Sequence, residues 1–96
     1  MASKNINELL IFVVDDDKLY NKFISHHLSL NPDNVVENYF NGKDLLKSIF
    51  KNPSVVILDY NLPEINGDES LQKIKAYNPD INVIIVSGQE DISTAI

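Results

Sequence analysis

The chain has 96 residues, 44% of them hydrophobic and 23% charged, the balance of one globular domain with a single modest core. Eight lysines, no arginine and fourteen acidic residues give a net charge of −6, which excludes the basic face that nucleic-acid phosphates or an anionic membrane surface require. The lack of cysteine excludes a disulfide framework, a thiolate zinc centre and a cysteine nucleophile; no apolar run reaches the ~20 residues of a membrane span. Met1–Glu8 has no signal-peptide core, so an acidic cytoplasmic protein is the expectation.

Leu9-Leu10-Ile11-Phe12-Val13-Val14 is a nearly continuous apolar run that stops at Asp15-Asp16-Asp17, the pattern of a strand buried on both faces. Tyr20, Phe23, Ile24, His27 and Leu28 recur at helical spacing and predict the inner stripe of a first helix, with His27 packed on it. Asp16 or Asp17 caps that helix and Asn31-Pro32 ends it. Val35-Val36 opens a weaker strand that reaches Tyr39. After Asn41-Gly42, the residues Leu45, Leu46, Ile49 and Phe50 mark a second helix, closed by Asn52-Pro53. Ser54-Val55-Val56-Ile57-Leu58 is another buried strand, and it too runs into an acid, Asp59. In the following loop Pro63 shapes the turn, and Gly67 is expected to supply a backbone angle that other residues disfavour. Asp68 and Glu69 suit the first turn of a third helix, which carries Leu71 and Ile74 inward and ends at Asn78-Pro79. A fourth strand, Ile81 to Val86, leads to Ser87-Gly88, and Ile92, Ala95 and Ile96 begin a fourth helix.

Strands that alternate with helices imply right-handed crossovers and a parallel sheet covered on both faces. In such open sheets ligands bind at the carboxyl ends of the strands, which selects Asp15-Asp16-Asp17, Asp59 and Ser87-Gly88. Read alone, Asp15 to Asp17 could equally be a turn and a helix cap. If the first and third strands are neighbours, Asp15, Asp16 and Asp59 converge, and each pair of carboxylates at ~4 Å repels by about 4 kcal/mol at an effective dielectric near 20. A proton or a cation must relieve that. Hard oxygen donors suit Mg²⁺ or Mn²⁺, whereas the alternating ligands of a calcium loop are missing.

Three motifs in this order resemble the receiver domain of bacterial two-component response regulators. They are Phe12-Val13-Val14-Asp15-Asp16-Asp17, the run Val56-Ile57-Leu58-Asp59-Tyr60-Asn61-Leu62-Pro63-Glu64-Ile65-Asn66-Gly67, and Val83-Ile84-Ile85-Val86-Ser87-Gly88. The resemblance covers Leu9 to Ile96 and implies a flavodoxin-like, doubly wound α/β sheet of strand order 2-1-3-4-5. It implies that Asp59 is the phosphoacceptor, charged by a histidine kinase or a phosphotransfer protein. Asp16 resembles the direct Mg²⁺ ligand, joined by Asp59 and the carbonyl of Asn61, while Asp15 holds a metal-bound water. Ser87 resembles the switch hydroxyl that donates to the new phosphoryl group, and Gly88 keeps the approach to Asp59 open. Asn61 and Gln89 stand at family positions that tune the lifetime of the phosphoryl group. An output domain or effector then reads the switched surface.

The family's fifth strand ends in a lysine for which this chain has no counterpart. Lys18 is the closest by sequence, but it begins a helix and is expected to face solvent. The expectation is therefore one domain over residues 1–96, a (βα)5 receiver that is C-terminally incomplete, without its fifth strand and fifth helix. Such a chain should expose its fourth strand and either form a homodimer, through that strand or by exchange of elements, or fold loosely. The competing reading is a pseudo-receiver, an interaction module without phosphotransfer. Asp15-Asp16-Asp17-Lys18-Leu19 does not supply the motif of a haloacid-dehalogenase-type phosphatase, and no P-loop is present. Any catalysis is expected to be self-directed phosphoryl transfer and hydrolysis, so the chain is not read as an enzyme.

Overall fold

Every apolar run of the sequence becomes a strand of one parallel sheet in the computed structural model, which describes residues 8–86. The elements are β1 (Leu9–Val14), α1 (Lys18–Ser29), β2 (Asn34–Tyr39), α2 (Gly42–Ser48) with a 3₁₀ turn at Ile49–Lys51, β3 (Val55–Asp59), α3 (Gly67–Tyr77) and β4 (Asn82–Val86). The strand order is β2-β1-β3-β4, the flavodoxin-like order as far as these strands go. Ser87, Gly88, Gln89 and the expected fourth helix lie outside the described residues. Among the described residues no helix is long and apolar enough to cross a membrane.

Each helix begins where a short polar side chain meets free backbone N–H groups. Asp17 caps α1 by accepting from Leu19 and Tyr20, Asn41 caps α2 by accepting from Asp44, and Asn66 caps α3 by accepting from Glu69. Of the two acids considered for the first cap, Asp17 is therefore the one used.

Because side chains alternate along a strand, the two sheet faces separate cleanly. Phe12, Val14, Val56 and Leu58 share one face with Leu45, Ile49, Leu62, Ile74 and Ile81, and these form the core cluster. Tyr39 packs against it with its ring tilted by 53° to that of Phe12 and the centroids 4.8 Å apart. The other face carries the in-register row Asn38, Val13, Ile57, Ile84. Val13 is wholly buried there, Ile57 is half-buried, and Ile84 is 52% exposed, so cover thins from β1 toward β4.

Helix α1 departs from expectation in its rotation. Its inner line is Asn21, Ile24, Ser25 and Leu28, and Phe23 is left 57% exposed. His27 is exposed rather than packed; its ring lies against Phe23 with centroids 4.6 Å apart. The helix packs chiefly over β2; Asn21 faces inward because its amide bonds to strand ends, and Ser25 because its hydroxyl bonds to the side chains of Asn21 and Asn38, preferences that apolar periodicity does not register. Phe50 also turns outward, because α2 tightens into the 3₁₀ turn before reaching it.

The contact between α2 and α3 is unusually close. A Cβ on Gly42 would lie 2.7 Å from Ser70 Oγ and 3.2 Å from the Ile65 carbonyl. Ser70 is wholly buried and its hydroxyl has no hydrogen-bond partner. Its size, not its polarity, suits the site. Ser70→Ala should therefore leave stability unchanged or raise it by up to about 1 kcal/mol, because a buried, unsatisfied hydroxyl is removed. Gly42→Ala should lower stability by about 1–2 kcal/mol, and by less in the Ser70→Ala background, where the nearest clash is gone. Urea titration of the four forms checks both signs and the coupling.

Candidate functional site

The β1–β2 and β1–β3 ladders both run to Val14, paired with Tyr39 on one side and Leu58 on the other. That register brings the residues after β1 and at the end of β3 to one point above the sheet. Asp15 continues the ladder with its N–H donating to the Tyr39 carbonyl at 3.1 Å. Its carboxylate accepts the Asp17 N–H at 2.9 Å, folding the chain into a turn before α1. Asp17 is committed to its cap, and Asp16 between them is left exposed. Asp59 closes β3, and its carboxylate accepts the Asn61 N–H at 3.3 Å.

Carboxylate oxygens of Asp15, Asp16 and Asp59 all lie within 4.8 Å of one another, so these expected residues do converge. Asp15 and Asp59 are buried, at 3% and 6% exposure. Burial, reinforced by Asp59 and Asp16, pushes the Asp15 carboxyl up to about 6 against the relief offered by the Asp17 N–H. Burial also raises Asp59, with the Asp16 charge adding to it and the Asn61 N–H opposing it. Hard oxygen donors, two of them desolvated and held in mutual repulsion, are the donor set that a small divalent cation such as Mg²⁺ or Mn²⁺ fits.

Asn61 is exposed just beyond Asp59. Lys18 is not turned toward the acids; its ammonium sits 5.6 Å above the Phe40 ring, on the β2 side of α1. Tyr60 is a surface residue, as expected, and its hydroxyl donates to Asp68 at 3.3 Å.

The role of Gly67 differs from expectation. The positive-φ residue of this loop is Glu64, at 66°. Gly67 is needed for close approach, since a Cβ there would stand 2.8 Å from Tyr60 Cα and 3.2 Å from the Asp59 carbonyl. Both atoms are backbone and cannot swing aside. Sequence reasoning did not single out Asn21, which is wholly buried and donates to the ends of β1 and β2. The available signal was an amide followed by Ile24, Ser25 and Leu28 at helical spacing.

Residues 11–96 match the family described as response regulator receiver domain. DegU, a transcriptional regulatory protein of Brevibacillus brevis, is 30% identical over 93% of this chain and 39% of its own length. A protein-glutamate methylesterase/protein-glutamine glutaminase of Geobacillus kaustophilus is 39% identical over 80% of this chain and 22% of its own. Among solved structures, the signal receiver domain of NarL from Mycobacterium tuberculosis superposes with a TM-score of 0.77 at 26% identity, covering 88% of this chain and 69% of that one. The BeF3-activated receiver domain of DrrB gives 0.78 at 33% identity, with the same coverage. The chain belongs to the response regulator receiver family, the phosphoacceptor domains of two-component signalling. It spans well under half the length of these curated relatives.

Two measurements follow from this geometry. Gly67→Ala should lower stability by about 1–3 kcal/mol and shift the amide resonances of Asp59 and Tyr60, because backbone must move to admit the methyl group. The second concerns pH. Folded Asp15 holds its proton to about pH 6, whereas in the unfolded chain it ionises near pH 4. In that window the unfolded state binds fewer protons, so this contribution to stability is full below about pH 4 and is lost as pH rises through about 6. Metal-free protein should lose about 1–3 kcal/mol from this source across that window, and Asp15→Asn should remove the loss. The difference between the two melting profiles isolates Asp15 from Glu37, whose lowered carboxyl titrates in the opposite sense. Parallel profiles would overturn the assignment.

Proposed function

We propose that Asp59 is the residue phosphorylated and that Asp15, Asp16 and Asn61 serve it by holding Mg²⁺. The observation that carries this reading is the convergence of three carboxylates on the buried end of β3, within 4.8 Å of one another. A carboxylate oxygen of Asp59 attacks the phosphorus of a phosphohistidine. The new O–P bond forms as the P–N bond breaks, and the electron pair returns to the imidazole. Mg²⁺, or Mn²⁺ in its place, supplies charge neutralisation between an anionic nucleophile and an anionic donor. In this reading Asp16 and the Asn61 carbonyl ligate the ion beside Asp59, and Asp15 positions a metal-bound water. Ser87 donates its hydroxyl to the phosphoryl group, Gly88 leaves room for it, and Gln89 with Asn61 sets its lifetime.

The donor is a histidine kinase or a phosphotransfer protein, and the reader is an output domain or effector. We place this exchange in the cytoplasm, with no direct role for nucleic acid or a membrane. The chain's own chemistry is limited to accepting and losing a phosphoryl group. The pseudo-receiver alternative is not favoured, because the acids that define phosphoacceptor chemistry are all present.

The decisive test is Mg²⁺ titration of labelled protein followed by amide shifts, with phosphoryl transfer measured afterwards by intact mass. Saturable shifts centred on Asp15, Asp16, Asp59 and Asn61 are expected, weakened in Asp59→Asn. Transfer from a phosphorylated kinase should vanish in Asp59→Asn and slow at least about 10-fold in Asp16→Asn. A folded, dispersed spectrum that ignores Mg²⁺ would overturn the metal site, and phosphoryl uptake by Asp59→Asn would overturn the acceptor.

A further inference from the structure

Asn21 is the one wholly buried residue of α1, and it is polar. Its side-chain nitrogen lies 2.9 Å from the Tyr39 carbonyl, 3.1 Å from that of Asp15 and 3.3 Å from that of Val13. An amide oxygen turned toward three carbonyls would be repelled, so the NH₂ end must face them. The amide oxygen accepts from Asn38 Nδ2 and, at 3.4 Å, from the Ser25 hydroxyl. The backbone N–H of the same residue donates to the Asp17 carbonyl at 2.9 Å.

One residue thus grips the loop Asp15-Asp16-Asp17 at both ends. It also ties that loop to Tyr39, whose carbonyl accepts the Asp15 N–H as well. If filling space beneath α1 were the only requirement, Leu or Met would serve and no buried amide would need partners. The three bonds go instead to the carbonyls of Val13 and Asp15, where β1 ends, and of Tyr39, where β2 ends. We infer that Asn21 is a positioning residue: its amide holds the main chain at Asp15 so that Asp15 and Asp16 stay converged on Asp59. Mutual repulsion pushes these carboxylates apart when no cation is bound, and the loop between a strand and a helix would otherwise yield. Asn21 touches neither the cation nor the phosphoryl group; it acts through the backbone of Asp15. This inference rests on the metal-site reading above.

The test compares Mg²⁺ affinity with stability in the whole chain. Asn21→Leu removes all three donor bonds while filling the space. Ile74→Val, in the core on the far side of the sheet, serves as a destabilised control whose site is untouched. The expected result is a Mg²⁺ dissociation constant about 10-fold weaker in Asn21→Leu and unchanged in Ile74→Val, when both are measured well below their melting temperatures. A merely structural Asn21 would lower the melting temperature like the control and leave the dissociation constant alone, and that result overturns the proposal. Should Asn21→Leu not fold, Asn21→Ser carries the same test, since a serine hydroxyl is too short to span three carbonyls. Failure of the site itself reads differently: wild-type protein that does not bind Mg²⁺, or Asp16→Asn that binds as tightly, removes the metal reading and this inference with it.

Discussion

Two strands with no freedom to shift deliver like charges to one place, and the rest of the site answers to that constraint. Val14 and Leu58 are locked side by side in the sheet and buried in its core, so the chain segments that carry Asp15 and Asp59 leave the sheet at one point. Repulsion that would dissipate in water is retained because burial strips the carboxylates of solvent. The fold offers partial relief through peptide N–H groups, Asp17 to Asp15 and Asn61 to Asp59, and through a retained proton. In the proposed function, a divalent cation would complete what those donors begin.

The frame of this arrangement was legible in the sequence. Uninterrupted apolar runs ending in acids gave the strands and their polarity, and chain order with the rule of right-handed crossovers gave the parallel sheet. The convergence of Asp15, Asp16 and Asp59 needs one thing more, that β1 and β3 be neighbours, which was an expectation in the sequence and is the pairing the sheet shows. Asn-Gly and Asn-Pro punctuation placed the start of α2 and the ends of α1 and α3 within a residue or two, whereas α2 gives way to the 3₁₀ turn at Ile49, ahead of Asn52-Pro53.

What escaped the sequence depends on approach between backbones. Periodicity assigns a helix face by apolar content, so α1, whose inner line includes Asn21 and Ser25, was rotated wrongly and Phe23 and His27 were put inside. Gly67 looked like a residue chosen for an unusual angle, but its place is dictated by the backbone of Tyr60 pressing on it. Ser70 drew no notice because a small residue in a polar stretch carries no periodic signal, although α2 could not approach α3 without it. Each of these depends on a distance between elements, a quantity that spacing along a chain does not encode.

The caps of α2 and α3 are both asparagines followed by glycine, at Asn41-Gly42 and Asn66-Gly67. That dipeptide is the one most open to spontaneous deamidation, because nothing on glycine hinders its nitrogen from attacking the preceding side chain. Each cap carbonyl is engaged by a helix N–H, at 2.7 Å from Asp44 and 2.9 Å from Glu69, which holds the side chain away from that attack. Chemical ageing at these two positions is therefore coupled to fraying of the helix starts. At Asn66 either product adds a negative charge, and isoaspartate adds an extra backbone carbon as well, at the foot of the loop that follows Asp59.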